Sequence, residues 1–484
     1  MATPVKQVRS EESLTAQELA ARAPARSLAQ QAFSRAAGSP LIEGNRVRLL
    51  KNAADNYPAW LEAIAAAKHH VHFENYIIHD DEVGSTFAQA LKTKARGGVH
   101  VRLVYDWFGS FNTASRSYWN SLREAGVEVR SYNAPPWASL FGGLSRDHRK
   151  CLSVDGEVAF VSGLCVGKMW VGNPTKKLEP WRDTGLEIRG PAVTPIEAGF
   201  AELWASLGSA IPDAEQSSHA EGASERGNVG LRVVTTSPMT SGLLRVNELV
   251  AALAQHRLWL TDAYYTGKAS YLQALRAAVK DGVDVRLLVP GTSDLFLLKP
   301  FTGAGYRPLL EAGVRIFEWN GTMLHAKTAV ADSRWARVGS SNLNFASWFG
   351  NYELDVLVED QAFAESMEKM YLEDLDNSTE IVLDARQKLR LPKQPKARLR
   401  LGASGGGVAV ARIGNTLGAA FTGSRSVQTH EGRTATLSGL GLLALAILFT
   451  FFPRLIAVPL SLAMGWSAVT LLFRGIRRQL SDPL

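Results

Sequence analysis

His148-Arg149-Lys150-Cys151-Leu152-Ser153-Val154-Asp155 returns in outline as His325-Ala326-Lys327-Thr328-Ala329-Val330-Ala331-Asp332, so the chain carries the pattern H-x-K-x4-D twice. On a strand, residues two apart project from the same face. Each copy can therefore present an imidazole and an ammonium to one pocket. Two copies supply two of each.

That set matches what cleavage of a phosphodiester requires. One imidazole attacks phosphorus, the other protonates the departing alkoxide, and the lysines neutralise the non-bridging oxygens. Such a mechanism needs neither metal nor cofactor. One H-x-K alone would be a coincidence of strand composition. Two with identical spacing, at corresponding places of a repeated chain, point to a site.

The repeat extends beyond the motifs, which marks it as a duplication. Ala90-Leu91-Lys92 followed by Gly98-Val99-His100-Val101-Arg102-Leu103-Val104 parallels Ala274-Leu275-Arg276 followed by Gly282-Val283-Asp284-Val285-Arg286-Leu287-Leu288. Glu124-Ala125-Gly126-Val127 likewise parallels Glu311-Ala312-Gly313-Val314. Each half reads as an apolar strand (Val71 to Ile78; Leu258 to Tyr264), an amphipathic helix, a glycine turn and a second strand, with the motif strands following. Strands alternating with helices predict an α/β sandwich in each half.

These residues resemble the phospholipase D superfamily and, within it, bacterial cardiolipin synthases. The resemblance spans roughly residues 41 to 380 and includes Glu43-Gly44-Asn45, Glu74, Asp80-Asp81-Glu82-Val83-Gly84, Trp181-Arg182-Asp183-Thr184, Gly190-Pro191 and Val338-Gly339-Ser340-Ser341-Asn342-Leu343. It implies two duplicated α/β sandwich domains, over residues 41–215 and 228–384, packed face to face around one shared active site. By resemblance, His148 becomes a transient phosphatidyl-histidine while His325 acts as the general acid and later the base; the exchanged assignment stays open. Lys150 and Lys327 are expected to bind phosphate oxygens, helped by Ser340 and Asn342. Asp183 and Glu353 stand where family members carry an acid that orients a histidine. Asp155 and Asp332 complete the motifs and count with the catalytic set, although anchoring the strand and its following turn is the role expected of them. A neutral imidazole attacks better and a charged one donates better, so the two environments should separate the two pKa values.

The first half departs from the pattern. Ser162-Gly163-Leu164-Cys165 stands opposite Gly339-Ser340-Ser341-Asn342, so a cysteine replaces the usual asparagine. A thiol is a weak donor, which predicts a weaker phosphate contact on that side unless Asn342 and the lysines suffice.

Length and composition allow two cores with extensions: 484 residues with 53 Lys and Arg against 46 Asp and Glu, a formal charge of +7. Two cysteines, Cys151 and Cys165, exclude a disulfide scaffold. Residues 1–40 lack the apolar core of a secretory signal and read as a flexible, partly helical extension. Residues 385–435 form a basic and Gly-rich linker in which Arg386 to Arg400 holds seven basic residues and no acid. Leu437 to Phe452 and Leu455 to Phe473 are almost wholly apolar and meet at Pro453-Arg454, which predicts a membrane hairpin over 436–474. Arginines on both flanks put its ends, and the catalytic halves, on the cytoplasmic side of a bacterial inner membrane.

The basic tract suits anionic phospholipids such as phosphatidylglycerol and cardiolipin. So do the aromatic clusters Trp107-Phe108 with Phe111, Pro136-Trp137 with Leu140-Phe141, Leu295 to Leu298, and Trp348-Phe349, which read as loops at strand ends able to enter a bilayer interface. A nuclease would more often line that place with Lys and Arg, so no nucleic-acid partner is expected. The reading is a phosphatidyltransferase that joins two phosphatidylglycerols and releases glycerol. The nearest alternative is hydrolysis by the same residues; a nucleic-acid phosphodiesterase and a non-catalytic lipid-binding protein stand further off.

Overall fold

The computed structural model describes residues 28–134, 145–173, 175, 178–212, 215, 224–291, 306–383 and 389–390. The start of the N-terminal extension, Pro136-Trp137, Leu140-Phe141, Leu295 to Leu298, the basic tract from Arg386 apart from the short strand at Leu389–Arg390, and the apolar C-terminal runs lie outside them.

The first half opens with β1 (Ile42–Lys51), followed by β2 (His70–Asn75), β3 (His100–Asp106) and β4 (Glu128–Tyr132), which run parallel to one another from β2 to β4. Helices cross between them: α1 (Asn52–Ala66) precedes β2 and α2 (Glu82–Arg96) joins β2 to β3. The start of α2 explains the Asp80-to-Gly84 stretch. Asp81 caps the helix by accepting from the backbone N–H groups of Val83 and Gly84 at 3.0 and 3.1 Å, while its other oxygen accepts from Lys168 N at 2.8 Å. Gly84 is required because a Cβ there would lie 1.7 Å from the carbonyl oxygen of His79.

The chain then turns antiparallel through β5 (Lys150–Val154), β6 (Val158–Ser162) and β7 (Thr184–Arg189). Every residue of β5 and β6 is buried, as expected of strands covered on both faces. The second half repeats this plan. β9 (Arg257–Thr261), β10 (Asp284–Pro290) and β11 (Arg315–Trp319) are parallel, and β12 (Thr328–Ala331), β13 (Trp335–Gly339) and β14 (Glu353–Glu359) are antiparallel. β8 (Val229–Thr236) is the counterpart of β1.

The two halves are more closely merged than two sandwiches set face to face. β1 pairs with β8, so hydrogen bonding runs without a break through sixteen strands, and both halves belong to one compact unit. The central core likewise mixes them: Cys151, Val161, Leu186 and Ile188 cluster with Val338, Leu354 and Val356. Each half keeps a further core of its own under its crossover helices, around Trp60, Phe73 and Phe87 in the first and Tyr271, Leu287 and Trp348 in the second.

Part of the expected flexible extension is also ordered. Residues 28–37 form a helix against the second half, where Gln30 Nε2 donates to Glu359 at 2.7 Å and Ala37 enters the core. Among the described residues no helix is long and apolar enough to cross a membrane.

Candidate active site

β5 begins where β2 ends, with Lys150 opposite Asn75, and β12 begins where β9 ends, with Thr328 opposite Thr261. This brings both motif histidines to the same end of the sheet. Each is then tied to the other half. The backbone N–H of His148 donates to the carbonyl of Tyr352 at 2.9 Å, and that of His325 to the carbonyl of Arg182 at 2.7 Å. Asp147 bridges Tyr352 and Leu324 bridges Arg182, both in parallel. The residue before each histidine thus pairs with the residue before the acid of the opposite half.

The acids follow from that pairing. His148 Nδ1 lies 2.9 and 3.1 Å from the Glu353 carboxylate, and His325 Nδ1 lies 2.8 Å from Asp183 Oδ2. Both carboxylates are fully buried. Neither histidine uses the acid that follows it in its own half.

The lysines are held by their own motifs. The Lys150 ammonium donates to the carbonyl of His148 and that of Lys327 to the carbonyl of His325, which leaves each with further protons for an anion. Tyr76 lies edge-on to His148, 4.9 Å between ring centroids, with Lys150 Nζ 5.0 Å from its ring. Tyr264 serves the other side, 6.0 Å from His325, with Lys327 Nζ at 5.8 Å. Trp170 and Trp181 both stand 5.8 Å from His325, and Trp170 Nε1 donates to Asp183 at 3.1 Å.

The electrostatics are unequal. Burial and the neighbouring Lys327 push His325 down to about 4, against the pull of Asp183. It is therefore neutral near pH 7 in the absence of an anion, the reverse of the protonated state expected of an acid at rest. Burial lowers Lys327 to about 8, with Asp183 opposing and Lys150 adding to the effect; Lys150 is lowered for the same leading reason. Burial works against ionised Asp183, but His325, Lys327 and the Thr184 N–H outweigh it and hold the carboxyl below its usual range. Burial raises Glu353 despite Lys150, Ser340, Ser347 and Asn351.

The motif aspartates take the anchoring role expected of them and leave the catalytic set. Asp155 and Asp332 are not at the site. Each lies just beyond the far end of its motif strand, roughly 17 Å from the lysine for extended chain at about 3.3 Å per residue. Asp155 accepts from the backbone N–H groups of Lys68, His69 and His70 at 2.7, 2.8 and 2.8 Å. Asp332 does the same for Gln255, His256 and Arg257 at 2.8, 2.8 and 2.9 Å. They fasten the entry to β2 and β9. Ser340, expected on a phosphate oxygen, donates to Glu353 at 2.6 Å and accepts from Leu354 N at 3.0 Å, and so holds the acid.

Asn342 and Cys165 do occupy the same turn in their halves, and both are buried. The glycine before Leu164 has a reason as well: a Cβ on Gly163 would meet Asp183 Oδ1 at 2.2 Å. Where the second half places the Ser340 hydroxyl, the first places the Asp183 carboxylate itself.

Sequence reasoning passed over two arginines that lock the halves together. Arg149 donates to the carbonyls of Gly199, Thr236 and Glu353 at 2.9, 3.2 and 3.3 Å. Arg182 grips Asp374 through Nε and a terminal nitrogen, both at 2.8 Å, and also donates to the Asp183 carbonyl. Their signal was adjacency, since one follows His148 and the other precedes Asp183. Trp181 stood in the same flanking match as Arg182, whereas Trp170 had no comparable mark.

The match to known proteins agrees with this geometry. Residues 60–169 and 250–375 match the family model described as "Cardiolipin synthase, PLD-like domain". The chain is 31% identical to cardiolipin synthase 1 of Bacillus anthracis over 373 residues, 74% of this chain and 72% of that one. It is 33% identical to cardiolipin synthase A of Pseudomonas fluorescens over 381 residues, 78% of each. In fold it is similar to the crystal structure of phosphatidylserine synthase from Haemophilus influenzae, with a TM-score of 0.57 and 14% identity over 73% of this chain and 91% of that one. The chain belongs to the cardiolipin synthase family of the phospholipase D superfamily, a family of phosphatidyltransferases.

Proposed function

We propose that this enzyme moves a phosphatidyl group from one phosphatidylglycerol to another through a phosphatidyl-histidine. With Nδ1 of each ring engaged by a carboxylate, Nε2 is the reacting nitrogen. His148 Nε2 forms a bond to phosphorus as the bond to the glycerol oxygen breaks, and His325 delivers a proton to the departing glycerol. A second phosphatidylglycerol then loses its hydroxyl proton to His325 as its oxygen attacks phosphorus, the N–P bond breaks, and cardiolipin leaves. Lys150 and Lys327 neutralise the non-bridging oxygens.

The observation that carries this reading is the pair of carboxylate-held histidines, Glu353 with His148 and Asp183 with His325, at one end of the merged sheet. The choice of His148 as the attacking ring comes from the family resemblance. The low pKa of His325 runs the other way for an empty site. A phosphodiester seated between the lysines offsets the field of Lys327 that contributes to that depression, so substrate binding and protonation of His325 are coupled.

On this reading the enzyme works at the cytoplasmic membrane, with the apolar C-terminal runs as its anchor and the basic tract drawn to anionic lipid. Incubation of the purified protein with phosphatidylglycerol vesicles, followed by mass spectrometry, tests the function. Cardiolipin and glycerol in equal amounts are expected. Phosphatidic acid as the sole lipid product would make the enzyme a hydrolase, and absence of any product would refute the reading.

A further inference from the structure

The two ends of the sheet differ in character. At the end away from the histidines, the turns that enter and leave the strands expose Lys68, His69, Glu157, Gln255, Asp281 and Arg334. At the histidine end, by contrast, Phe111, Val171, Leu178, Met239 and Phe345 are 48% to 85% exposed. Other apolar residues are exposed elsewhere, Leu253 among them at the far end, and scattered ones need no explanation, but five gathered around one site do.

Each of these residues is fastened to the site. Phe111 follows the short helix Trp107–Ser110, whose cap Asp106 accepts from Gly109 N at 2.8 Å and, through its second oxygen, from Asp147 N at 2.9 Å, directly before His148. Val171 ends the turn Lys168–Val171 that carries Trp170 to Asp183, and Leu178 is bridged to Asn173 beside it. Phe345 leads into the π-helical turn Ala346–Gly350, in which Ser347 accepts from Asn342 N at 3.0 Å. Met239 N donates to the carbonyl of Phe349 at 2.8 Å. These aromatic segments are therefore short helical turns, not open loops, and Trp348 is spent in the core. Cations accompany them: Lys268 Nζ lies 4.4 Å from the Phe349 ring and the Arg146 guanidinium 4.3 Å from that of Phe108.

We infer that this end of the catalytic unit is a docking rim that presses into the headgroup layer of an anionic phospholipid bilayer. The inference rests on the proposed lipid substrate. His148 and His325 are only 7% and 6% exposed, so a phosphodiester must rise out of the headgroup plane to reach them. Apolar side chains that enter the interface around the site let the acyl chains stay in the bilayer while the phosphate rises, and the flanking cations favour negative headgroups. A C-terminal anchor would hold the enzyme near the membrane; the rim would orient it.

The test uses the full chain with one introduced cysteine at a time, F111C, M239C or F345C, carrying an environment-sensitive fluorophore; Cys151 and Cys165 are buried. E157C, at the opposite end, is the control. With vesicles of phosphatidylglycerol containing brominated acyl chains, the rim labels should be quenched and the control should not. Quenching at both ends alike, or at neither, would overturn the rim. A second arm compares F111S/M239S/F345S with the unaltered chain. Turnover of bilayer phosphatidylglycerol should fall tenfold or more, while that of monomeric short-chain phosphatidylglycerol stays within twofold. Equal losses on both substrates would overturn the rim while leaving the lipid reading intact, whereas no turnover of either by the unaltered chain would refute the lipid reading itself.

Discussion

Glu353, from the second half of the chain, holds Nδ1 of His148, from the first, at 2.9 Å. Asp183 returns the arrangement to His325 at 2.8 Å. Neither half contains a complete histidine–acid pair, so the duplication makes one site and not two.

Glu353→Gln and Asp183→Asn should therefore each disable the histidine of the opposite half. The neutral amides keep the shape but lose the charge that fixes the ring tautomer and supports the imidazolium. A fall in kcat of about 10²- to 10⁴-fold is expected, the range typical of an acid–base step. Steady-state kinetics with the circular dichroism spectrum unchanged would check it. Activity within a few-fold of the unaltered enzyme would mean the carboxylates serve packing alone.

The buried Lys327, lowered to about 8, gives a pH signature. Its ammonium binds phosphate when protonated, so kcat/KM, which reports the free enzyme, should take a further downward step above pH 8, beyond the decline that titration of His325 sets at lower pH. Arginine keeps its charge throughout that range. Lys327→Arg should lose the alkaline decline while being slower at every pH, because a guanidinium does not fit the place of an ammonium.

Asp155→Ala should damage stability and spare chemistry. Three backbone donors, of Lys68, His69 and His70, lose a charged acceptor. A loss of roughly 3 kcal/mol is expected from the cost of hydrogen bonds to a charged group. Denaturant midpoints should shift, while kcat of the folded protein at low temperature stays within about twofold. Loss of kcat in fully folded protein would return Asp155 to the catalytic set.

Much of the site could be read because the repeat put His and Lys two residues apart where each motif enters its strand, and the Asp just beyond the strand's far end. The acids Asp183 and Glu353 could be named from the resemblance, which carries an orienting acid shortly after each motif. Which histidine each would meet could not, because that contact spans 205 residues in one case and 142 in the other and depends on how the halves join. The join itself was illegible: β1 pairs with β8 through only a few residues, with a register shift between Ile42 and Asn45 that no local pattern announces. That Ser340 donates to Glu353 could not be read either, because only the folded position of Glu353 decides it. Of the aromatic segments, the two within the described residues, Trp107 to Phe111 and Trp348-Phe349, stand at strand ends as read, but their turns are helical and Trp348 points into the core, since π-helical geometry around Ala346–Gly350 has no simple sequence period.

The central claim, one covalent site built from both halves with His148 as the carrier, is tested most directly by trapping the intermediate. His325→Ala should be mixed with phosphatidylglycerol, quenched, digested and examined by mass spectrometry under alkaline conditions that preserve phosphohistidine. A phosphatidyl adduct on the peptide containing His148, absent from the same treatment of His148→Ala, is the expected result. An adduct on His325 in His148→Ala, with none in His325→Ala, would reverse the roles, and no adduct in either would contradict the covalent mechanism.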